Sequence, residues 1–260
     1  MKMWLSKYLI IILLVFSFIE TSAQSTFPLN KGFSLGLTLA YSQYKERLIN
    51  NLRNCGIEPT LSINYNFPGD INHSLGLDIG FAYLENRYSM SSYIIQYQIK
   101  YQITKYIESA RLYLGGAFRF SNMFYQADYY DAQHNYWVSH IDCGFSANKN
   151  FKINEDLSLS LPLYIPLIGL KSRPADNRQF VLNEPDMQLG EIIKRMNSNY
   201  KFAVVGDNLF SINLGVDLKI KLCEDRNLLL GYKLYYDQDK AESSPKYQYL
   251  SHGLSITYPF

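Results

Sequence analysis

Apolar side chains recur at every second position in ten separate stretches of this chain. Phe33, Leu35, Leu37, Leu39 and Tyr41 form the first, and Leu61, Ile63, Tyr65 and Phe67 the second. Leu75 to Tyr83, Tyr93 to Ile103 and Leu112 to Phe120 give the next three, followed by a weaker sixth from Trp137 to Phe145. Leu157 to Ile165, Phe210 to Ile220, Leu228 to Tyr236 and Leu254 to Phe260 complete the set. A period of two is the mark of a strand with one apolar face. Most of these runs reach the ~9–11 residues that a tilted strand needs to cross hydrocarbon.

The connections between the runs alternate in length. Pro68 to Asp70, Thr104 to Ser109, Asn150 to Asp156 and Glu224 to Arg226 are short. Lys45 to Ile57, Gln126 to Asn135, Lys171 to Asn199 and Asp237 to Pro245 are long, and Glu85 to Ser92 is a tighter turn on that same side. Short turns at one end and long loops at the other are the asymmetry of membrane barrels. With both termini on the turn side the strand number is even, in agreement with ten. The second face of each run separates this reading from a soluble sandwich, whose solvated face would carry long charged residues. Here it shows Ser34, Gly36, Thr38, Ala40 and Ser42 in one run and Ser74, Gly76, Asp78, Gly80 and Ala82 in another. Small polar groups suit a confined lumen. The pattern therefore predicts an all-β fold: one up-and-down antiparallel transmembrane β-barrel of about ten strands, closed because lipid tolerates no open edge.

The last run, Leu254-Ser255-Ile256-Thr257-Tyr258-Pro259-Phe260, ends on an aromatic residue with apolar partners two, four and six positions back. It resembles the closing strand of bacterial outer-membrane β-barrel proteins. Pro259 departs from the usual pattern, at a strand end where a missing donor is tolerated. The resemblance implies the outer membrane of a Gram-negative bacterium, contact with outer-membrane lipid, and recognition by the barrel-assembly machinery during biogenesis.

The start of the chain fits export. Lys2 and Lys7 precede an apolar run from Tyr8 to Ile19, and Thr21-Ser22-Ala23 supplies a small-residue cleavage site. This divides the chain into a signal peptide, 1–23, and a barrel domain, 24–260. No cysteine follows the site to carry a lipid anchor. Without Lys2, Lys7 and Glu20 the 25 basic and 23 acidic side chains become 23 and 22, a balance that gives no reason to expect nucleic acid. The 23 tyrosines against 2 tryptophans suit many amphipathic boundary positions. Cys55 in a long loop, Cys143 in a strand and Cys223 in a short turn are too scattered to pair.

Charged residues on the lumenal face fall into three adjacent-strand pairs when heights are counted from the short turns: Asp78 with Lys100, Arg119 with Asp142, and Asp217 with Lys233. Opposite charges in cross-strand reach stabilise each other. They read either as a neutral filling for a narrow barrel or as a selective constriction. His140 and Asp142 share the lumenal face near the loop end and are the candidates for general-base chemistry. They resemble the carboxylate–histidine motif of the omptin proteases. Those enzymes place Asp before His and add an acidic pair on a facing strand, whereas here the order is reversed and no Asp-x-Asp is expected within a strand. His73, His134, His140 and His252 fall in different places, without metal-ligand spacing, and no cofactor motif occurs. The aromatic and acidic stretch from Phe124 to Asp131 fits an outer girdle. In the longest loop, Leu189, Ile192, Ile193 and Met196 make a helical apolar stripe after Pro185 and Asp186, which we expect to cap the barrel mouth or receive a protein partner. The sequence thus points to a non-enzymatic barrel, either a narrow solute channel or a structural, partner-binding one. The alternative is an outer-membrane hydrolase using His140 and Asp142.

Overall fold

The computed structural model describes residues 32–46, 52–110, 112–129, 132–173, 200–204, 209–223, 226–239 and 247–260. Eleven strands carry them: β1 (Gly32–Glu46), β2 (Arg53–Phe67), β3 (Ile71–Glu85), β4 (Ser91–Ile107), β5 (Leu112–Tyr129), β6 (Ala132–Lys152), β7 (Leu157–Ser172), β8 (Tyr200–Val204), β9 (Leu209–Cys223), β10 (Arg226–Asp239) and β11 (Tyr247–Pro259). All pairings are antiparallel, each strand beside its sequence neighbour, and β1 pairs with β11 to close the ring. Ten strands make the barrel. The short β8 pairs only with the upper end of β7, through Ile168–Ser172, and below it β9 takes over through Leu157–Tyr164.

The alternation read from the sequence sets the two faces. Outward positions on β1 stay open, Leu37 at 53% and Leu39 at 58%, while Thr38 between them is 6% exposed. Aromatic rings collect on the outer surface at both strand ends. Phe33, Tyr65 and Phe67 pack at steep angles at the turn end with centroids 4.4 and 4.3 Å apart, and Tyr83 meets Tyr93 at 5.3 Å at the loop end. An apolar band flanked by aromatic girdles is the surface a lipid bilayer covers. The final strand closes with a backbone bond from Phe260 N to Phe33 O, 2.8 Å. Gly32 makes this closure possible: its φ is +142°, and a Cβ there would stand 2.8 Å from the Phe260 carbonyl oxygen.

The strands run further toward the loop end than the apolar pattern shows. β2 begins at Arg53, so Cys55 lies in a strand and not in a loop. β5 and β6 are paired to Tyr129 and Ala132, which turns most of the expected Gln126–Asn135 loop into ladder. β10 runs on to Asp239, which places Asp237-Gln238-Asp239 in a strand, contrary to the sequence expectation. The physical reason is that lipid-facing alternation stops at the membrane boundary while backbone pairing continues past it. On β7, Gly144 pairs with Pro166 and Cys143 with Ile168, leaving Leu167 as the extra residue of a β-bulge. Leu167 and Ile168 both point outward, each 49% exposed. Proline lacks a ladder donor and a bulge absorbs that loss. The bulge also shifts the parity of everything beyond it and turns Lys171 into the lumen, where it is 6% exposed. The signal peptide and the stripe of Leu189, Ile192, Ile193 and Met196 lie outside the described residues.

Candidate functional site: a lumen bridged by side chains

A ten-stranded ring leaves an interior that side chains of opposite walls can span. At the turn end the filling is small and polar, as read from the sequence. Glycines there let neighbours lie flat on the wall: Asp217 and Ser255 rest over Gly231, and Asn64 over Gly76. Toward the loop end the filling changes to three cross-barrel bridges.

The first is built on Arg119 of β5. It stands directly opposite Asp142 of β6 in the register, and its Nη2 reaches Asp142 Oδ2 at 2.7 Å while Nε donates to the same carboxylate at 3.0 and 3.2 Å. The guanidinium then continues across the lumen, donating to Tyr235 OH of β10 at 3.3 Å and Ser211 Oγ of β9 at 3.5 Å. Tyr164 of β7 donates its hydroxyl to Asp142 from the other side. The carbon of the Arg119 guanidinium sits 5.3 Å from the Tyr164 ring and 5.7 Å from the Tyr235 ring. Burying two charges is costly unless each is paired and its remaining donors are used, and here five strands supply the partners.

The second bridge centres on Glu58 of β2, 1% exposed. Ser42 of β1, Gln96 of β4 and Tyr249 of β11 all donate to its carboxylate, and Thr60 lies at 3.5 Å. The third joins β6 to β10. His140 Nε2 approaches Asp237 Oδ2 at 3.0 Å, as an ion-pair contact more than an aligned hydrogen bond. Lys171 stands over the Tyr247 ring at 5.1 Å, within electrostatic range of Asp237.

Above and between these bridges the lumen is aromatic and apolar. Tyr44, Leu84, Ile94, Met123, Tyr125, Val138, Tyr247 and Tyr249 form one buried cluster. Tyr44 stacks on Tyr125 at 4.2 Å and meets Tyr247 edge-on at 5.6 Å. Rings from β1, β5 and β11 thus touch across the opening. Beneath them a cavity of about 120 Å³ remains, walled by Thr38, Glu58, Asp78, Gln96 and Lys233 among others. Such a cavity has room for several waters.

The residues singled out in the sequence fare unequally. Arg119 and Asp142 are brought together. Asp78 lies opposite Gln98 and accepts from its Nε2 at 3.2 Å. Lys100 lies opposite Gly76 on one side and Arg119 on the other, with its ammonium 4.8 Å from the Tyr164 ring centroid. Asp217 faces Gly231 and Lys233 faces Gly215, one diagonal step apart, and no ion pair closes between them. A diagonal step is ~7–8 Å between Cα atoms, against ~4.5–5.5 Å for directly opposed residues. His140 does not meet Asp142, because that carboxylate is held by Arg119 and Tyr164. Its contact is Asp237, where the sequence pattern predicts a loop. Glu58, Lys171, Tyr164, Tyr235 and Tyr249 were also missed. The inward parity of Glu58, Tyr164, Tyr235 and Tyr249 within their own strands was the available signal. Among the described residues, no group of His, Cys, Asp or Glu is arranged to hold a metal ion.

No family model and no curated relative matches the chain. Among solved structures it is similar in shape to the β domain of the Bordetella autotransporter BrkA, at TM-score 0.44 and 9% identity over 88% of this chain and 100% of that one. An outer membrane channel from Pseudomonas putida F1 gives TM-score 0.42 at 10% identity, over 93% and 100%. The translocator domain of the autotransporter NalP from Neisseria meningitidis gives 0.42 and 10%, over 89% and 90%.

Proposed function

We propose that this protein is a non-enzymatic outer-membrane barrel whose closed lumen makes it a structural scaffold, presenting its loop end to a partner outside the cell. The observation that carries the reading is the bridge from Arg119 and Asp142 to Tyr235 and Ser211, which crosses the lumen beneath a packed tyrosine layer. An open pore would need that path free. The outward band of leucine, isoleucine and aromatic residues supports placement in a membrane, and the long connections support an outward-facing loop end. Liposomes reconstituted with the protein should not swell in small sugars or amino acids above protein-free controls. Swelling that depends on solute size would return the channel reading.

One observation favours a hydrolase as the second reading. His140 lies 3.0 Å from Asp237, a buried carboxylate on β10. Against it, His140 and Asp237 are 3% and 1% exposed and sit at the tyrosine-packed end of the lumen, on the wall of a cavity of about 120 Å³. Any hydrolytic activity co-purifying with the barrel should survive His140→Ala. Its loss in a correctly assembled variant would support the enzyme.

A further inference from the structure

The lipid face carries a cationic position that no described residue neutralises. Lys45 of β1 and Arg53 of β2 are direct register partners, and their odd numbers place both on the outward face with Tyr41 and Ile57. Like charges directly opposite each other on one sheet face repel. No ion pair to either is found among the described residues. Glu85, opposite Cys55 on the next strand, instead accepts the Tyr83 hydroxyl at 2.9 Å. Gln248 of β11 faces Lys45 from the other side and extends the polar row.

Two outward positions toward the membrane, past Gln43, a second polar group is held in place on the same face. His252 is the register partner of Tyr41. Its ring meets Tyr41 edge-on at 5.8 Å, and its Nδ1 is 3.1 Å from the Tyr232 hydroxyl. Level with this step and just below it the face turns aliphatic, with Ile57, Leu39 and Leu254 exposed at 60, 58 and 71%. Two cations, then an aromatic–imidazole step, then an open aliphatic track reproduce the order of a phosphate-bearing lipid from headgroup to chain. Long cationic side chains at such a boundary place their charge among headgroups.

We propose that the outer surface of β1, β2 and β11 is a binding site for the net-anionic, phosphate-bearing headgroup of an outer-leaflet lipid, with Lys45 and Arg53 holding the anion and His252 and Tyr41 marking the interface. This rests on the membrane placement proposed above, but not on the closure of the lumen. The test uses the intact barrel in neutral detergent, titrated separately with phosphatidic acid and phosphatidylcholine, with bound lipid counted by native mass spectrometry. Phosphatidic acid should be retained preferentially. In Lys45→Gln/Arg53→Gln, retention should weaken roughly 10- to 30-fold, on the basis of about 1 kcal/mol per basic residue near a charged lipid surface. Lys45→Arg/Arg53→Lys, which keeps both charges, should retain it. Arg53 is exposed and Lys45 half-buried, and heat-modifiable migration on gels reports whether the barrel is assembled. Equal retention of the two lipids, or equal retention by wild type and the double glutamine variant, overturns the site. Displacement of phosphatidic acid by inorganic phosphate at similar concentration would show a free-anion site and overturn the lipid assignment. Absence of folded barrel from membranes altogether would instead defeat the placement on which the inference rests.

Discussion

Arg119 and Asp142 face each other across β5 and β6 with Nη2 and Oδ2 2.7 Å apart, their side chains 0% and 1% exposed. Every other contact of the bridge is organised around this pair. Removing one partner leaves an uncompensated buried charge, which costs about 3–5 kcal/mol, whereas removing both leaves a smaller deficit. Arg119→Ala should therefore lower the urea midpoint of the barrel in lipid vesicles strongly, Asp142→Ala similarly, and the double variant by clearly less than the sum. Additive losses would show that the pair does not act as a unit.

The glycines make a prediction with an internal control. A Cβ on Gly253 would meet the Leu39 carbonyl oxygen at 2.2 Å and the Ala40 Cα at 2.3 Å, both backbone atoms that cannot swing aside. At Gly231 the near atoms are the tips of Asp217 and Ser255, which can rotate away into the lumen. Gly253→Ala should cost about 1–3 kcal/mol, the range for overpacking, and Gly231→Ala less than about 1 kcal/mol. The same vesicle unfolding assay ranks them, and the reverse order would mean the packing at the β1–β11 seam is wrong.

Thiol chemistry reports on orientation. Cys55 lies near the loop end of β2, and Cys143 is exposed on the lipid face of β6. In intact cells carrying single-cysteine variants, a charged maleimide should label Cys55. It should not label Cys143, which a lipophilic maleimide should reach. Labelling of Cys143 by the charged reagent would place β6 outside hydrocarbon.

The sequence made the faces of this barrel readable because lipid and lumen impose opposite chemistry on alternate residues, and Leu37 beside Thr38 is enough to show it. Heights were less readable. Counting from the turns set Asp217 level with Lys233, yet the ladder leaves them on a diagonal, while Arg119 and Asp142 are true partners. A one-residue bulge at Leu167 lies hidden in an unbroken apolar run from Leu161 to Leu170, so nothing in the pattern showed Lys171 turning inward. The Glu58 and Asp237 bridges were missed because β2 and β10 outrun the membrane, and pairing beyond it leaves no apolar alternation to follow.

The central claim is that side chains close the lumen, and electrical conductance of the purified barrel in planar bilayers tests it most directly. Wild-type protein should insert without stable ohmic steps. Arg119→Ala/Asp142→Ala combined with Tyr235→Ala and Tyr44→Ala, which removes the bridge and loosens the ring layer above it without stranding a charge, should give measurable openings in barrels shown to be folded by heat-modifiable migration. A steady wild-type pore whose conductance is unchanged in that quadruple variant would contradict the account.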